Sequence, residues 1–232
     1  MIQWSESHLM LRDAVRGFCK TEIEPIIDQL EHGDTPPYDV LRKFVKTFGV
    51  DELARSQFAS ALDRGEQGKA TEAGQVTPER FAQRLDAAAM RAIPIVELSR
   101  YCPGMVTAMG VSMGLTSAAI MSRGTRAQKE RWALPVMTME KIGAWAITEP
   151  NSGSDAFGGM KSTSKRDGSG GYLLNGNKTY ITNGPYADTI VFICKLDEPG
   201  VDPRQRRILS FILDSGMDGL TQSKPFRKMG IH

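Results

Sequence analysis

The sequence predicts an α+β protein in segregated blocks: an N-terminal all-α helical domain over residues 1–140, then an incomplete antiparallel β-barrel-like domain over residues 141–232. Two observations carry this. Up to Leu134 apolar residues recur at helical spacing, whereas from Lys141 onward they fall in short β-rich runs separated by turn chemistry. A third observation narrows the class. No Gly-x-Gly-x-x-Gly follows a strand, which removes a doubly wound nicotinamide-binding fold.

The first helix is expected from Glu6 to about Leu30, where Leu11, Val15, Phe18, Cys19, Ile23, Ile26 and Ile27 alternate with Arg12, Asp13, Arg16, Lys20 and Glu22. Pro25 should interrupt it. After a break from Gly33 to Pro37, residues Val40, Leu41, Phe44, Val45 and Phe48 predict a second helix ending at Gly49, and a third covers Asp51 to Leu62. Between Asp63 and Pro78 the chain turns polar and Gly-rich, which reads as a mobile surface loop. Helix resumes from Pro78 to Ser99.

Tyr101 through Ser122 carries no charge and is long enough to span a bilayer, but Gly, Ala, Ser, Thr and Met dominate it. This composition predicts a packed helix and no membrane span. Gly110, Gly114 and Ala118 should let another backbone come close, with Met105, Met109 and Met113 packing as a parallel stripe. Thr125-Arg126-Ala127-Gln128 is a capping box that starts a helix at Arg126, and Pro135 should stop it by Leu134. Strands are expected at Lys141–Thr148, Met160–Arg166, Tyr172–Leu174, Lys178–Thr182, Thr189–Leu196 and Ile208–Asp214. Asp167-Gly168, Asn175-Gly176 and Asn183-Gly184 supply the turns.

Composition bounds the function from the other side. With 41% hydrophobic and 24% charged residues in 232, the chain can bury a real core, and 29 basic against 27 acidic side chains give a net charge of +2. That balance argues against nucleic acid as a partner. Cys19, Cys102 and Cys194 are scattered and set in apolar surroundings, and His8, His32 and His232 are equally dispersed. Neither set offers a disulfide framework or metal-ligand spacing, so no metal is expected. The cysteine pattern leads to the expectation of a reducing, cytoplasmic location, and Met1 to His8 show no basic start, apolar core or Arg-rich leader to support secretion or import.

Two segments carry the chemistry. Trp145-Ala146-Ile147-Thr148-Glu149-Pro150-Asn151-Ser152-Gly153-Ser154-Asp155 leaves an apolar run and enters a loop of hydroxyls, an amide and a carboxylate. Gly153 would let the chain approach a ligand without a Cβ in the way. Downstream stands Asn177-Lys178-Thr179-Tyr180-Ile181-Thr182-Asn183-Gly184. Together, in this order and at this separation, the two resemble the flavin-binding middle domain of the acyl-CoA dehydrogenases. The likeness begins at Trp4-Ser5-Glu6-Ser7-His8 and strengthens from Arg123-Gly124-Thr125 to Leu134-Pro135. It departs at the loop after Asp63, where the family carries a proline- and glycine-containing loop, and at Tyr180, where the family most often has Trp.

The resemblance implies FAD as cofactor. Trp145, Ala146, Ile147 and Thr148 would run beside the isoalloxazine, Tyr180 would pack on its ring, and Thr182 would place its hydroxyl near N5. Ser154 would reach the pyrophosphate and also touch substrate, and Gly153 and Ile181 would complete the cofactor-binding set. It further implies an acyl-CoA substrate in fatty acid β-oxidation, α,β-desaturation as the reaction, and an electron-transfer flavoprotein or similar acceptor. The complete protein would be a homo- or hetero-oligomer. Glu149 could be read as the base, but the family takes its base from a C-terminal helical domain. No residue of this chain is therefore assigned a catalytic role, and the resemblance implies a fragment or split-gene product, inactive alone, that stops within the family-like stretch Phe226 to His232. A non-catalytic subunit of a hetero-oligomer and a flavin acyl-CoA oxidase are the alternatives.

Overall fold

A computed structural model describes residues 4–33, 35–66 and 77–228. The expected loop between Asp63 and Pro78 lies almost wholly outside these residues. The chain divides into two compact units, the first made of Met1–Met109 with Phe226–His232 and the second of Gly110–Pro225. Helices from Gly110 to Met137 thus belong to the unit that holds the sheet, while the change from helix to strand falls between Met137 and Gly143.

In the first unit α1 (Glu6–Phe18) opens on a capping box in which Ser5 and His8 satisfy each other's backbone amides. Cys19–Ile23 then forms a π turn and Glu24–Ile26 a 3-10 turn. Pro25 therefore breaks the regular helix before α2 (Ile27–Glu31). α3 (Tyr38–Thr47) and α4 (Val50–Glu66) follow. Thr77 caps α5 (Pro78–Ser99), with Pro78 in the first turn where its missing N–H costs nothing. Val15, Phe18, Ile23, Leu41, Phe44, Ile93, Leu98 and Met105 fill the core. Buried Glu97 accepts from Arg16 at 2.8 and 3.1 Å and pairs with Arg100 at 3.2 Å, joining α1 to α5.

Helix continues through α6 (Pro103–Met109), a π segment Gly110–Thr116 and α7 (Ser117–Arg123). Among the described residues this is the helix long and apolar enough to cross a membrane, with a mean hydropathy of 1.4. The expected small-residue contact is corrected here. Gly110, Gly114 and Ala118 face outward, and a Cβ on either glycine would meet nothing. Close approach falls instead on Ser112 and Thr116, whose face meets the sheet: Ser112 Oγ accepts from Gly143 N at 2.9 Å, and a Cβ on Gly143 would lie 2.8 Å from Thr116 Cγ2. The Thr125 capping box forms over α8 (Arg126–Gln128). Helix does not stop at Leu134, because a π turn at Lys129–Ala133 precedes α9 (Leu134–Met137) and puts Pro135 in a first turn.

The sheet has five strands, β1 (Gly143–Ala146), β2 (Thr163–Arg166), β3 (Tyr172–Asn175), β4 (Thr189–Leu196) and β5 (Ile208–Asp214). The α+β class holds, but the sheet is mixed. β4 pairs antiparallel with β5 and parallel with both β1 and β2, while β2 and β3 form an antiparallel hairpin. β4 is buried at all eight positions, as a strand with neighbours on both edges should be. Its apolar side packs Ile190, Phe192 and Cys194 with Ala144, Ala146 and Ala187.

The strand expected at Lys178–Thr182 does not form. Tyr180 and Asn183 adopt left-handed backbone at φ 55° and 66°, a conformation no strand accommodates. The β-favouring Thr, Tyr and Ile of that segment are used by a turn.

Candidate functional site

The two motifs lie side by side in the second unit, joined by four hydrogen bonds from residues 178–183 to residues 143–149. Thr179 N donates to Thr148 O at 2.9 Å, and Asn183 Nδ2 donates to Gly143 O at the start of β1, also at 2.9 Å. Lys178 Nζ donates to Ile147 O at 3.0 Å and to Glu149 Oε1 at 2.9 Å. The adjacency that the sequence could only suggest is thus built from backbone and a buried ion pair.

That pair is dry. Both side chains are 6% exposed, and Glu149 also accepts from the backbone amides of Lys161 at 2.7 Å and Ser162 at 2.9 Å. Burial alone would raise the Glu149 carboxyl, but donors from Ser162, Lys178 and Lys161 outweigh it and hold the group at about 2. A carboxylate so stabilised is a poor proton acceptor. Burial draws Lys178 below its ordinary value while Glu149 pulls it back up, and the Phe192 ring lies 5.2 Å from its ammonium. Glu149 is therefore structural: it anchors the start of the loop, where Glu149 and Ser152 exchange backbone bonds at 3.1 Å.

Above this anchor the loop turns to solvent. Gly153, Ser154 and Tyr180 are exposed, and Thr148 and Thr182 are half-buried. Ser152 Oγ is engaged by Asp155 O at 2.6 Å, but among the described residues the hydroxyls of Thr148, Ser154 and Thr182 have no partner. A Cβ on Gly153 would meet only Thr148 Cγ2, at 3.9 Å, so packing within the chain does not demand glycine there. Tyr180 presents its ring with 69% of its surface open, from a left-handed backbone that an aromatic residue adopts at a cost of about 1 kcal/mol. Trp145 and Ile147 are half-buried, whereas Ala146 and Ile181 turn inward against the sheet core.

Sequence reasoning gave no role to Lys178, to the Asn183 amide, or to Lys195, which is 2% exposed and donates to Gly158 O at 3.0 Å. The signal was present for Lys195, a lone charge in the apolar run Thr189 to Leu196. The three cysteines are free and buried, and burial pushes Cys19 to about 11 and, with Glu31 adding to it, Cys102 to about 12. None is a thiolate. No group of three potential metal ligands occurs among the described residues.

Comparison with known proteins decides the family. The acyl-CoA dehydrogenase middle domain matches residues 144–232, and the acyl-CoA dehydrogenase N-terminal domain matches residues 68–140. The chain belongs to the acyl-CoA dehydrogenase family. A short-chain specific acyl-CoA dehydrogenase of Megasphaera elsdenii is 37% identical over 140 residues, 60% of this chain and 36% of that protein. The solved butyryl-CoA dehydrogenase of the same organism superposes with a TM-score of 0.70 at 25% identity, covering 100% of this chain and 54% of its own. An acyl-CoA dehydrogenase of Bacillus anthracis, solved in complex with FAD, has a TM-score of 0.67 at 26% identity, covering 99% and 34%. The chain spans about half the length of the curated acyl-CoA dehydrogenases it matches end to end.

Proposed function

We propose that this chain supplies the flavin-gripping part of an acyl-CoA dehydrogenase that desaturates acyl-CoA thioesters between the α and β carbons. One observation carries the reading: the two motifs are bonded edge to edge, with the hydroxyls of Thr148, Ser154 and Thr182 unengaged among the described residues and Tyr180 69% exposed beside them. That donor set fits FAD, which needs polar contacts at its pyrimidine and N5 edge, a packing face, and donors for its pyrophosphate. Thr148 and Thr182 would meet the polar edge, Tyr180 the ring, and Gly153 and Ser154 the pyrophosphate, with Ser154 reaching the substrate as well. When bound, the flavin supplies the hydride acceptor.

The proton at the α carbon needs a carboxylate near neutral range, and Glu149, held at about 2, is not one. As the family resemblance implies, the base is assigned to a C-terminal helical domain, and electrons are passed to an electron-transfer flavoprotein or similar acceptor. Purified chain incubated with FAD should acquire a protein-bound flavin spectrum yet show no acyl-CoA turnover with an artificial electron acceptor. Turnover without a second polypeptide would place the base within this chain. Failure to bind FAD at all would remove the flavin reading, and peroxide release by a completed enzyme would make it an oxidase.

A further inference from the structure

The loop that would meet the flavin pyrophosphate is held from below by two lysines. Lys178 grips its beginning through Ile147 O and Glu149, and Lys195 grips its end through Gly158 O at 3.0 Å. Between these grips lie Gly153 and Ser154, both exposed. Lys195 is the odd member. Unlike Lys178 it has no carboxylate partner among the described residues, and it sits 2% exposed in β4, where every neighbour along the strand is also buried. Methionine or leucine would fill that volume without the cost of taking an ammonium out of water. What a lysine adds is a charged donor long enough to leave the sheet and catch a loop carbonyl.

We propose that Lys195 is a positioning residue for the pyrophosphate end of the flavin site, fixing the height at which Ser154 and the surrounding amides are presented. This rests on the flavin reading above. It assigns the clamp to the sheet, so the loop's conformation is set before any ligand arrives. Phe157, 55% exposed and next to Gly158, reports on it directly as a chymotrypsin site.

The test compares wild type, Lys195→Met and Lys195→Arg without ligand and with FAD. In the apo protein, chymotryptic cleavage after Phe157 should accelerate about tenfold in Lys195→Met, because the end of the loop opens locally, and should return toward wild type in Lys195→Arg. The FAD dissociation constant should rise by about tenfold, the scale expected when a supporting hydrogen bond is lost, with a shifted bound-flavin spectrum. The apo thermal midpoint should stay within about 4 °C, since an unneeded buried charge has been removed. Equal cleavage rates in wild type and Lys195→Met overturn the clamp, as does a collapsed thermal midpoint that Lys195→Arg does not restore. If wild type itself binds no FAD, the flavin reading falls and cleavage alone decides whether Lys195 holds the loop.

Discussion

Each unit buries a carboxylate against basic side chains, and the two solutions differ. In the helical unit Glu97 is 4% exposed, but its partners Arg16 and Arg100 keep 44% and 59% of their surfaces in water. In the sheet unit Glu149 and Lys178 are both 6% exposed, and two backbone amides also donate to the carboxylate. The first arrangement glues α1 to α5 and tolerates imprecision, since wet guanidiniums can shift. The second fixes the relative position of two loops and has no slack. A site that must present hydroxyls to a ligand at defined places needs the second kind.

The largest expected effect separates them. Lys178→Met leaves Glu149 charged and buried without its cation, which should cost roughly 3–5 kcal/mol in urea denaturation, whereas Arg16→Ala leaves Arg100 in place and should cost clearly less. Equal losses would show that dryness makes no difference.

Acid gives the next effect. The Glu149 carboxyl is held at about 2 in the folded chain against 4.5 ordinarily, so its contribution of roughly 3 kcal/mol is complete above 4.5 and lost as the pH falls from 4.5 toward 2. Lys178 stays protonated on both sides of unfolding across that window and adds no slope. Denaturation curves at pH 7, 4 and 2.5 measure it, and Glu149→Gln should flatten the dependence.

The smallest concerns Tyr180. Asparagine tolerates a left-handed backbone, so Tyr180→Asn should leave stability unchanged or raise it by up to about 1 kcal/mol while weakening FAD. A destabilised variant with normal flavin affinity would mean that Tyr180 serves packing and not the ligand.

Much of this was legible in the sequence. Thr125 to Gln128 announced its helix because a capping box is a local bond between residues three apart, and the two motifs could be paired because their chemistry is distinctive. Other features depended on distant partners. Gly110, Gly114 and Ala118 have the spacing of a packing seam, but nothing in that spacing says which face of the helix meets the sheet. Lys178 to Thr182 is rich in β-favouring residues, yet the segment turns at left-handed Tyr180 while Lys178 pairs with Glu149 twenty-nine residues away. Strand directions were also invisible, since β4 takes parallel partners from chain segments on either side of the loop.

β4 has a consequence for how this unit reports what it binds. Three of the other strands hydrogen-bond to it and the fourth, β3, hangs from β2, so none of β1, β2 and β5 can leave without disturbing β4. Such a hub makes loss of the sheet a single cooperative event. A molecule seated on the loop after β1 would then be felt as added resistance to unfolding as far away as Ile208, across the ladder, with no moving part to carry the message.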